Sequence, residues 1–234
     1  MAVVSRAPQR RQPVPDTPAR RPSPSALSGR YVRIGPTVPR RDAADLFPEI
    51  SGPSAEPLFR YLPSGPFADE AALQADIAAA SASLSTVTLA IRDAATGRTV
   101  GRASYVRIEP EHRSIGIGGV LFSPLLARTS GATEAVYLMA RHVFEDLGYR
   151  RYEWTCDALN APAREAALRF GFRPEGVFRK NVIVRGRSRD TAVFAIVDDE
   201  WPRVRAAFQA WLDPANFDAR GVQIARLGEI RERL

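Results

Sequence analysis

The sequence predicts an α+β domain whose mixed, mostly antiparallel sheet is flanked by helices. Three observations carry that reading. The run Val120–Phe172 reads as strand, small-residue loop, helix, strand, loop and helix. Two β-branched runs, 86–92 and 99–108, are joined by Asp93-Ala94-Ala95-Thr96-Gly97, a hairpin turn. Two further strands, 171–185 and 188–197, close on Arg185-Gly186-Arg187. Strands and helices thus mix without strict alternation, which is α+β order.

Residues 1–28 read as a disordered arm. Pro8, Pro13, Pro15, Pro18, Pro22 and Pro24 forbid a continuous helix there, and apolar residues are sparse. The domain is expected over residues 29–213, with 214–234 as a C-terminal extension. Residues 31–34 form its first strand. Helices follow over 41–47 and 67–82, the second opened by Gly65-Pro66 and carrying Leu73 and Ile77 four apart on one face. Residues 114–122 are a strand whose Gly116, Gly118 and Gly119 mark a bulge or the close approach of another backbone. The stretch 133–147 has apolar residues at helical spacing and Gly148 at its C-cap. A strand over 151–157, a helix over 162–170 and a final helix over 201–212, with Trp201, Val204, Phe208 and Trp211 inward, complete the domain.

Composition excludes several classes. The longest apolar stretches, such as 135–140, are far too short to span a bilayer, and no apolar segment of a secretory signal follows the N-terminus. A single cysteine, Cys156, forbids an intrachain disulfide and fits a reducing cytoplasm. With His112 and His142 as the two histidines, it makes no zinc set, and no metal is expected. The net charge of +7 is concentrated at one end: residues 1–41 hold nine arginines against Asp16, leaving the rest at −1. The body therefore has no excess of positive charge to bind nucleic acid. The arm reads as a solvated tail. Its alternative role is a contact with ribosomal RNA or another polyanion, which salt would weaken.

The loop Arg128-Thr129-Ser130-Gly131-Ala132-Thr133 opens a helix. Unpaired N–H groups and the positive dipole end at such a place suit a phosphate. Asn160 opens the next helix just after a strand. In this order the run resembles the acetyl-CoA core of the GNAT acetyltransferases, and within them the group that includes RimJ and RimL. Thr133-Glu134-Ala135 matches the family's recurring TEA. GRYVRIGPTVPRRDAADLF (29–47), FRYLPSGPF (59–67) and RDTAVFAIVDDEWPRVRAAFQAWL (189–212) resemble that group's outer segments.

The resemblance implies two central parallel strands that splay apart, with the pantetheine arm of acetyl-CoA taking a strand's place beside Leu121, Phe122 and Ser123. It puts the diphosphate on the N–H groups of Ser130, Gly131, Ala132 and Thr133, near Arg128 or Thr129, and the pantetheine amide on Asn160. Arg164, one turn on, is a candidate for a CoA phosphate. It further implies a cytoplasmic enzyme, monomer or homodimer, that acts off the membrane and without metal. Acetyl would pass to a primary amine by direct attack in a ternary complex, the acceptor being a peptide N-terminus or a small molecule.

Five positions depart from the family pattern. Ala127 and Ser130 replace the leading polar residue and first glycine of the phosphate loop, Ala163 replaces a serine, Ala167 stands at about the place of a proton-donating tyrosine, and Gly116 replaces a glutamate base. The substitute bases are Asp157, Glu153 and His112. Two readings follow: an enzyme that works mainly by positioning its reactants, or a catalytically impaired acyl-CoA-binding protein with a regulatory or ribosome-associated role.

Overall fold

The computed structural model describes residues 13–52 and 55–234. Eight strands form one sheet among the described residues: β1 (Leu27–Ser28), β2 (Val32–Pro36), β3 (Val87–Asp93), β4 (Thr99–Glu109), β5 (Ser114–Phe122), β6 (Arg151–Asp157), β7 (Arg173–Val184) and β8 (Arg187–Val197). Their spatial order is β1-β2-β3-β4-β5-β6-β8-β7. Every neighbouring pair is antiparallel except β5–β6, which is parallel. Helices α1 (Pro39–Ile50), α2 (Glu56–Phe59) and α3 (Glu70–Ser81) precede β3. Helix α4 (Ser130–Arg141) is the crossover between the parallel strands, followed by α5 (Ala161–Phe170), α6 (Trp201–Leu212) and α7 (Leu227–Arg233). No helix among the described residues is long and apolar enough to cross a membrane.

Alternation along β6 divides the sheet into two faces. Tyr152, Trp154 and Cys156 are buried, while Arg151, Glu153, Thr155 and Asp157 lie on the other side. The buried face packs against α4, α5 and α6 through aromatic rings. Phe144 stacks on Trp201 at 4.9 Å, Tyr152 meets Phe172 at 5.5 Å, and Phe170 stacks on Phe208 at 6.1 Å. Such pairs add to the area they bury and fix the helices' azimuth. On the opposite face, α1 and α3 cover β2–β4. The buried Asp42 carboxylate accepts from Arg92 at 2.9 Å and from the Thr99 hydroxyl at 2.7 Å, tying α1 to two strands. Arg102 of β4 pairs with Asp76 of α3 at 2.6 Å.

Several boundaries differ from the sequence reading, those of α4 with the clearest causes. Helix α4 begins at Ser130, three residues early, because the Thr129 side chain caps it by accepting from the Ala132 N–H at 3.3 Å. Its last stretch, His142–Asp146, winds as a π turn, with His142 Nδ1 and Asp146 Oδ2 2.8 Å apart. Pro124 lies past the end of β5, in the turn where the Ser123 carbonyl accepts from the N–H groups of Leu126 and Ala127.

The expected disordered arm is corrected over its second half. The Ala19 N–H donates to the Pro110 carbonyl at 3.1 Å, and that of Arg20 to Leu147 at 2.9 Å. Arg113 grips the Thr17 carbonyl at 2.6 Å, while Ala19 and Leu27 enter the main core. Two apolar side chains and three hydrogen bonds to its backbone groups order a segment that composition alone marks as unable to fold. Residues 1–12, with Arg6, Arg10 and Arg11, lie outside the described residues.

The carboxylate of buried Glu134, in the second turn of α4, accepts the N–H groups of Arg30, Tyr31 and Val32 at 2.8, 2.7 and 2.9 Å. Glu134→Ala would leave three backbone donors without an acceptor. The expected cost is about 3 kcal/mol of unfolding free energy by denaturant titration. A loss below about 1 kcal/mol would mean that water replaces the carboxylate freely.

Candidate active site

The parallel pair is bonded only from Ser114–Arg151 to Ile117–Trp154. Past that point β6 continues beside β8 as far as Asp157–Thr191. Strand β5 instead bulges against β4, where its register shifts between Ser104 and Arg102 and Gly119 adopts φ 56°. The left-handed φ is cheap for glycine and strained for other residues. The two strands therefore diverge, and the backbone of residues 118–122 has no β6 partner. The splay opens into a cleft of ≈ 840 Å³.

Helix α4 points its first turn at this cleft. Arg128 turns the chain into the helix with φ 64° and Thr129 caps it. Neither the Ser130 nor the Gly131 N–H has an acceptor among the described residues. Free N–H groups and the helix dipole together make a ready anion site. Substitution of the loop's first glycine by Ser130 is compatible with this, since the left-handed residue here is Arg128.

The predicted donor residues divide into two sets. Phe122, Arg128, Thr129, Ser130, Ala132, Thr133 and Asn160 line the cleft. Asn160 also caps α5, its side-chain oxygen accepting from the Ala163 N–H at 3.1 Å. Leu121 turns away and packs with the α1–α3 cluster. Ser123 is fully buried, with its hydroxyl unpartnered among the described residues. Gly131 is not in the cleft wall; a Cβ there would meet Val32 and Leu126, so only its unpaired backbone N–H is available to a ligand. Arg164 is exposed and donates to the Ala158 carbonyl at 3.4 Å, outside the cleft wall.

A second arginine in the cleft wall is Arg169, which the sequence reading passed over. It donates to the Thr133 hydroxyl at 3.0 Å and stacks 4.9 Å from the Trp211 ring. Burial holds it below the ordinary arginine range. Residues 214–234 complete that wall. Phe217, Val222 and Gln223 line the cleft, with the Gln223 amide oxygen accepting from the Trp211 indole at 2.8 Å. Arg231 of α7 donates to the Arg169 carbonyl at 3.0 Å and closes the C-terminus of α5. The available signal was spacing: positions 162, 163, 166, 169 and 170 share the α5 face that lines the cleft.

Residues 34–173 match the acetyltransferase (GNAT) domain family. This chain belongs to the GNAT acetyltransferase family. A GCN5-related N-acetyltransferase from Brucella melitensis is 43% identical; the match covers 92% of this chain and 98% of that one, with a TM-score of 0.89. A probable acetyltransferase of the GNAT family from Chromobacterium violaceum is 37% identical over 84% of this chain and 98% of that one, with a TM-score of 0.76. RimJ of Mycobacterium smegmatis, solved in complex with CoA-disulfide, shares the fold at 22% identity over 80% of this chain and 94% of that one, with a TM-score of 0.66. A search of curated proteins gives no match. The protein is thus an acyltransferase of a family whose donor is acetyl-CoA. The apolar cleft, its free N–H groups and its guanidinium suit that donor.

The departures from the GNAT pattern have structural counterparts. A Cβ on Gly116 would collide with the guanidinium of Arg107, which occupies the space of the missing glutamate. Arg107 reaches it from a bulge in β4, at φ 45°, and donates to Glu153 and Thr155, both at 2.9 Å. Arg151 holds the other Glu153 oxygen at 2.7 Å. Burial would raise the Glu153 carboxyl, but the bonds and charges of Arg151 and Arg107 outweigh it and hold it below the usual carboxylate range. It is therefore a poor base, contrary to its listing among the substitutes. His112 fails for a different reason: it is exposed in the turn before β5, at the end of that strand away from the splay. Asp157 ends β6 on the same face as Glu153, and one carboxylate oxygen accepts from the Leu159 N–H at 2.8 Å. Ala167 is fully buried, and of the α5 positions that face the cleft Pro162, Ala163, Ala166 and Phe170 have no proton to give. Cys156 is buried and burial pushes its thiol up, which removes it as a nucleophile.

Arg169→Ala should weaken acetyl-CoA binding about tenfold by calorimetry, the worth of one charge-assisted contact. Unchanged affinity would show that Arg169 serves only to pack Trp211.

Proposed function

We propose that the protein transfers acetyl from acetyl-CoA to the N-terminal amine of a polypeptide by direct attack in a ternary complex, as a RimJ/RimL-like enzyme of the cytoplasm. The observation that carries this reading is the splay of β5 from β6 at the mouth of the α4 cleft. It leaves backbone N–H groups free at the place where the thioester carbonyl must be polarised.

The chain's own groups divide the work. Ser130, Gly131 and Arg169 bind the phosphate end, Asn160 orients the pantetheine arm, and Phe122, Trp154 and Phe170 exclude water. No free carboxylate stands at Gly116, so the amine loses its proton to water or to Asp157, and positioning supplies most of the rate. Tyr61 lies in the cleft wall and its hydroxyl donates to the Leu159 carbonyl at 3.1 Å, beside Asn160. In this reading Tyr61 returns a proton to the departing thiolate, in place of the tyrosine missing from α5.

The second reading, acyl-CoA binding without turnover, is favoured by one observation: the two arginines that immobilise Glu153. Thiol release measured against a panel of N-terminal peptides and small amines, beside calorimetry with acetyl-CoA, separates the two. Binding with amine-dependent release establishes the transferase; binding without release on any acceptor favours the second reading.

With water as the base, the rising limb of kcat/KM against pH should follow the acceptor. It should sit near 8 for an N-terminal amine and move toward about 10.4 for a lysine-type amine. A limb fixed at one pH for both acceptors would assign the deprotonation to a protein group such as Asp157. Tyr61→Phe should lower kcat on the order of 10²-fold while acetyl-CoA affinity changes little. A parallel fall in both would reduce Tyr61 to a wall residue.

A further inference from the structure

The acceptor side of the splay is bounded by the β7–β8 hairpin, which forms the free edge of the sheet. Strand β7 is exposed along nearly its whole length. The hairpin is tied to the cleft mouth: Arg185 near its tip donates to the carbonyls of Pro63 and Gly65, in the loop that follows Tyr61.

Its charge is one-sided. Residues 173–190 carry Arg173, Arg179, Lys180, Arg185, Arg187 and Arg189 against Glu175 and Asp190. Arg173 is paired with Glu200, and Glu175 is taken by Arg151. Arg179, Lys180, Arg187 and Arg189 make no ion pair among the described residues. Among them, on the face of Thr191 and Arg189, stand exposed apolar side chains, Phe178 at 59% and Val182 at 40% of full exposure. Two polar atoms here are buried without a partner: Nε of Arg189 and the hydroxyl of Thr191, whose residue is only 4% exposed. Thr191 pairs across the sheet with Asp157 on one side and Phe178 on the other, and Arg189 follows on the same face of β8. The unsatisfied donors therefore lie on the face that leads from the hairpin to the end of β6.

We propose that this hairpin docks an acceptor polypeptide whose N-terminal segment is acidic and carries an apolar residue. The inference rests on the acetyl-transfer reading. Guanidinium forks match carboxylates in geometry and charge. Phe178 and Val182, which pair with Thr191 and Arg189 on one face, suit an apolar side chain of the peptide. An extended N-terminus lying across this face can deliver its amine to the splay, which an RNA on the same cations would have no amine to do.

The test compares kcat/KM for two hexapeptides with the same first residue, Ser-Asp-Glu-Leu-Asp-Glu and Ser-Lys-Arg-Leu-Lys-Arg, at low and high salt. The acidic peptide should be favoured about tenfold at low ionic strength, and salt should shrink the preference. The double variant Arg179→Glu/Lys180→Glu should abolish or reverse it, whereas Arg179→Lys/Lys180→Arg should retain it. Equal rates, or preference for the basic peptide, overturn the inference while leaving acetyl transfer standing. If no acceptor releases thiol, the transfer reading fails instead, and fluorescence anisotropy of the labelled acidic peptide on the acetyl-CoA-loaded protein decides the docking by itself. Absence of binding, or displacement of the peptide only by a labelled RNA oligomer that binds more tightly, counts against it.

Discussion

The carboxylate of Glu134 is the constraint on which the donor site depends. It sits in the second turn of α4 and accepts three successive backbone N–H groups from the turn that leads into β2. A buried carboxylate is tolerable only when its oxygens are satisfied, and three N–H donors do this. The bond set joins the far end of the sheet to the start of α4, so the free N–H groups of Ser130 and Gly131 are held in place before any ligand arrives. Thr133 is held in turn by Arg169, and Ala135 is buried beneath. The Thr-Glu-Ala run therefore reads as one positioning unit: a hydroxyl that places a guanidinium, a carboxylate that anchors the helix, and a small residue that lets the helix lie close to the sheet.

A second constraint shapes the acceptor side. Gly116 has no side chain, and Arg107 fills the vacated space from a left-handed position in a bulge of β4. The exchange turns an expected free carboxylate into a closed network of Arg107, Glu153, Arg151 and Glu175. Such a network fixes the floor beside the splay, at the expense of proton-transfer capacity. In the proposed reaction this floor offers the acceptor a rigid, charged surface, and proximity and backbone polarisation carry the rate. The loss of a base and the gain of an arginine are one structural change.

The fold was legible because its signals are local. The alternation of β6, the glycines of β5 and the small-residue loop before α4 each state a backbone requirement in a few residues. The strands Ser114–Phe122 and Arg151–Asp157 and the helix Trp201–Leu212 have the bounds their patterns predict. The site was legible in part. Ser130 and Asn160 announce themselves by preceding helices, but Arg169 and Gln223 reach the cleft only through tertiary packing by α7 and the loop before it. Arg164 and Arg169 look alike in sequence; the helical phase of α5 and the Trp211 ring decide which faces inward. The ordered segment from Thr17 to Ser28 was hidden for the same reason, since its prolines are visible locally while its partners, Pro110, Arg113 and Leu147, lie far along the chain.

Formal charge misleads here in the same way. The body of the chain sums to nearly zero beyond residue 41, and an average of that kind gives no hint of a recognition surface. The structure distributes those charges unevenly. Carboxylates are consumed where they buttress the fold: Asp42 on Arg92, Asp76 on Arg102, Glu153 on two arginines. What is left over on the β7–β8 edge is positive, because its few acids are engaged in pairing or in backbone contacts, Asp190 accepting from the Lys180 N–H at 2.7 Å. An exposed edge strand with unpaired N–H groups invites association with another chain, and charge is the usual deterrent. On this edge the uncompensated charge is of one sign and sits beside exposed Phe178 and Val182. It therefore discourages a second copy of the same basic hairpin while remaining open to a chain of opposite charge, so that protection of the edge and selection of a partner come from the same residues.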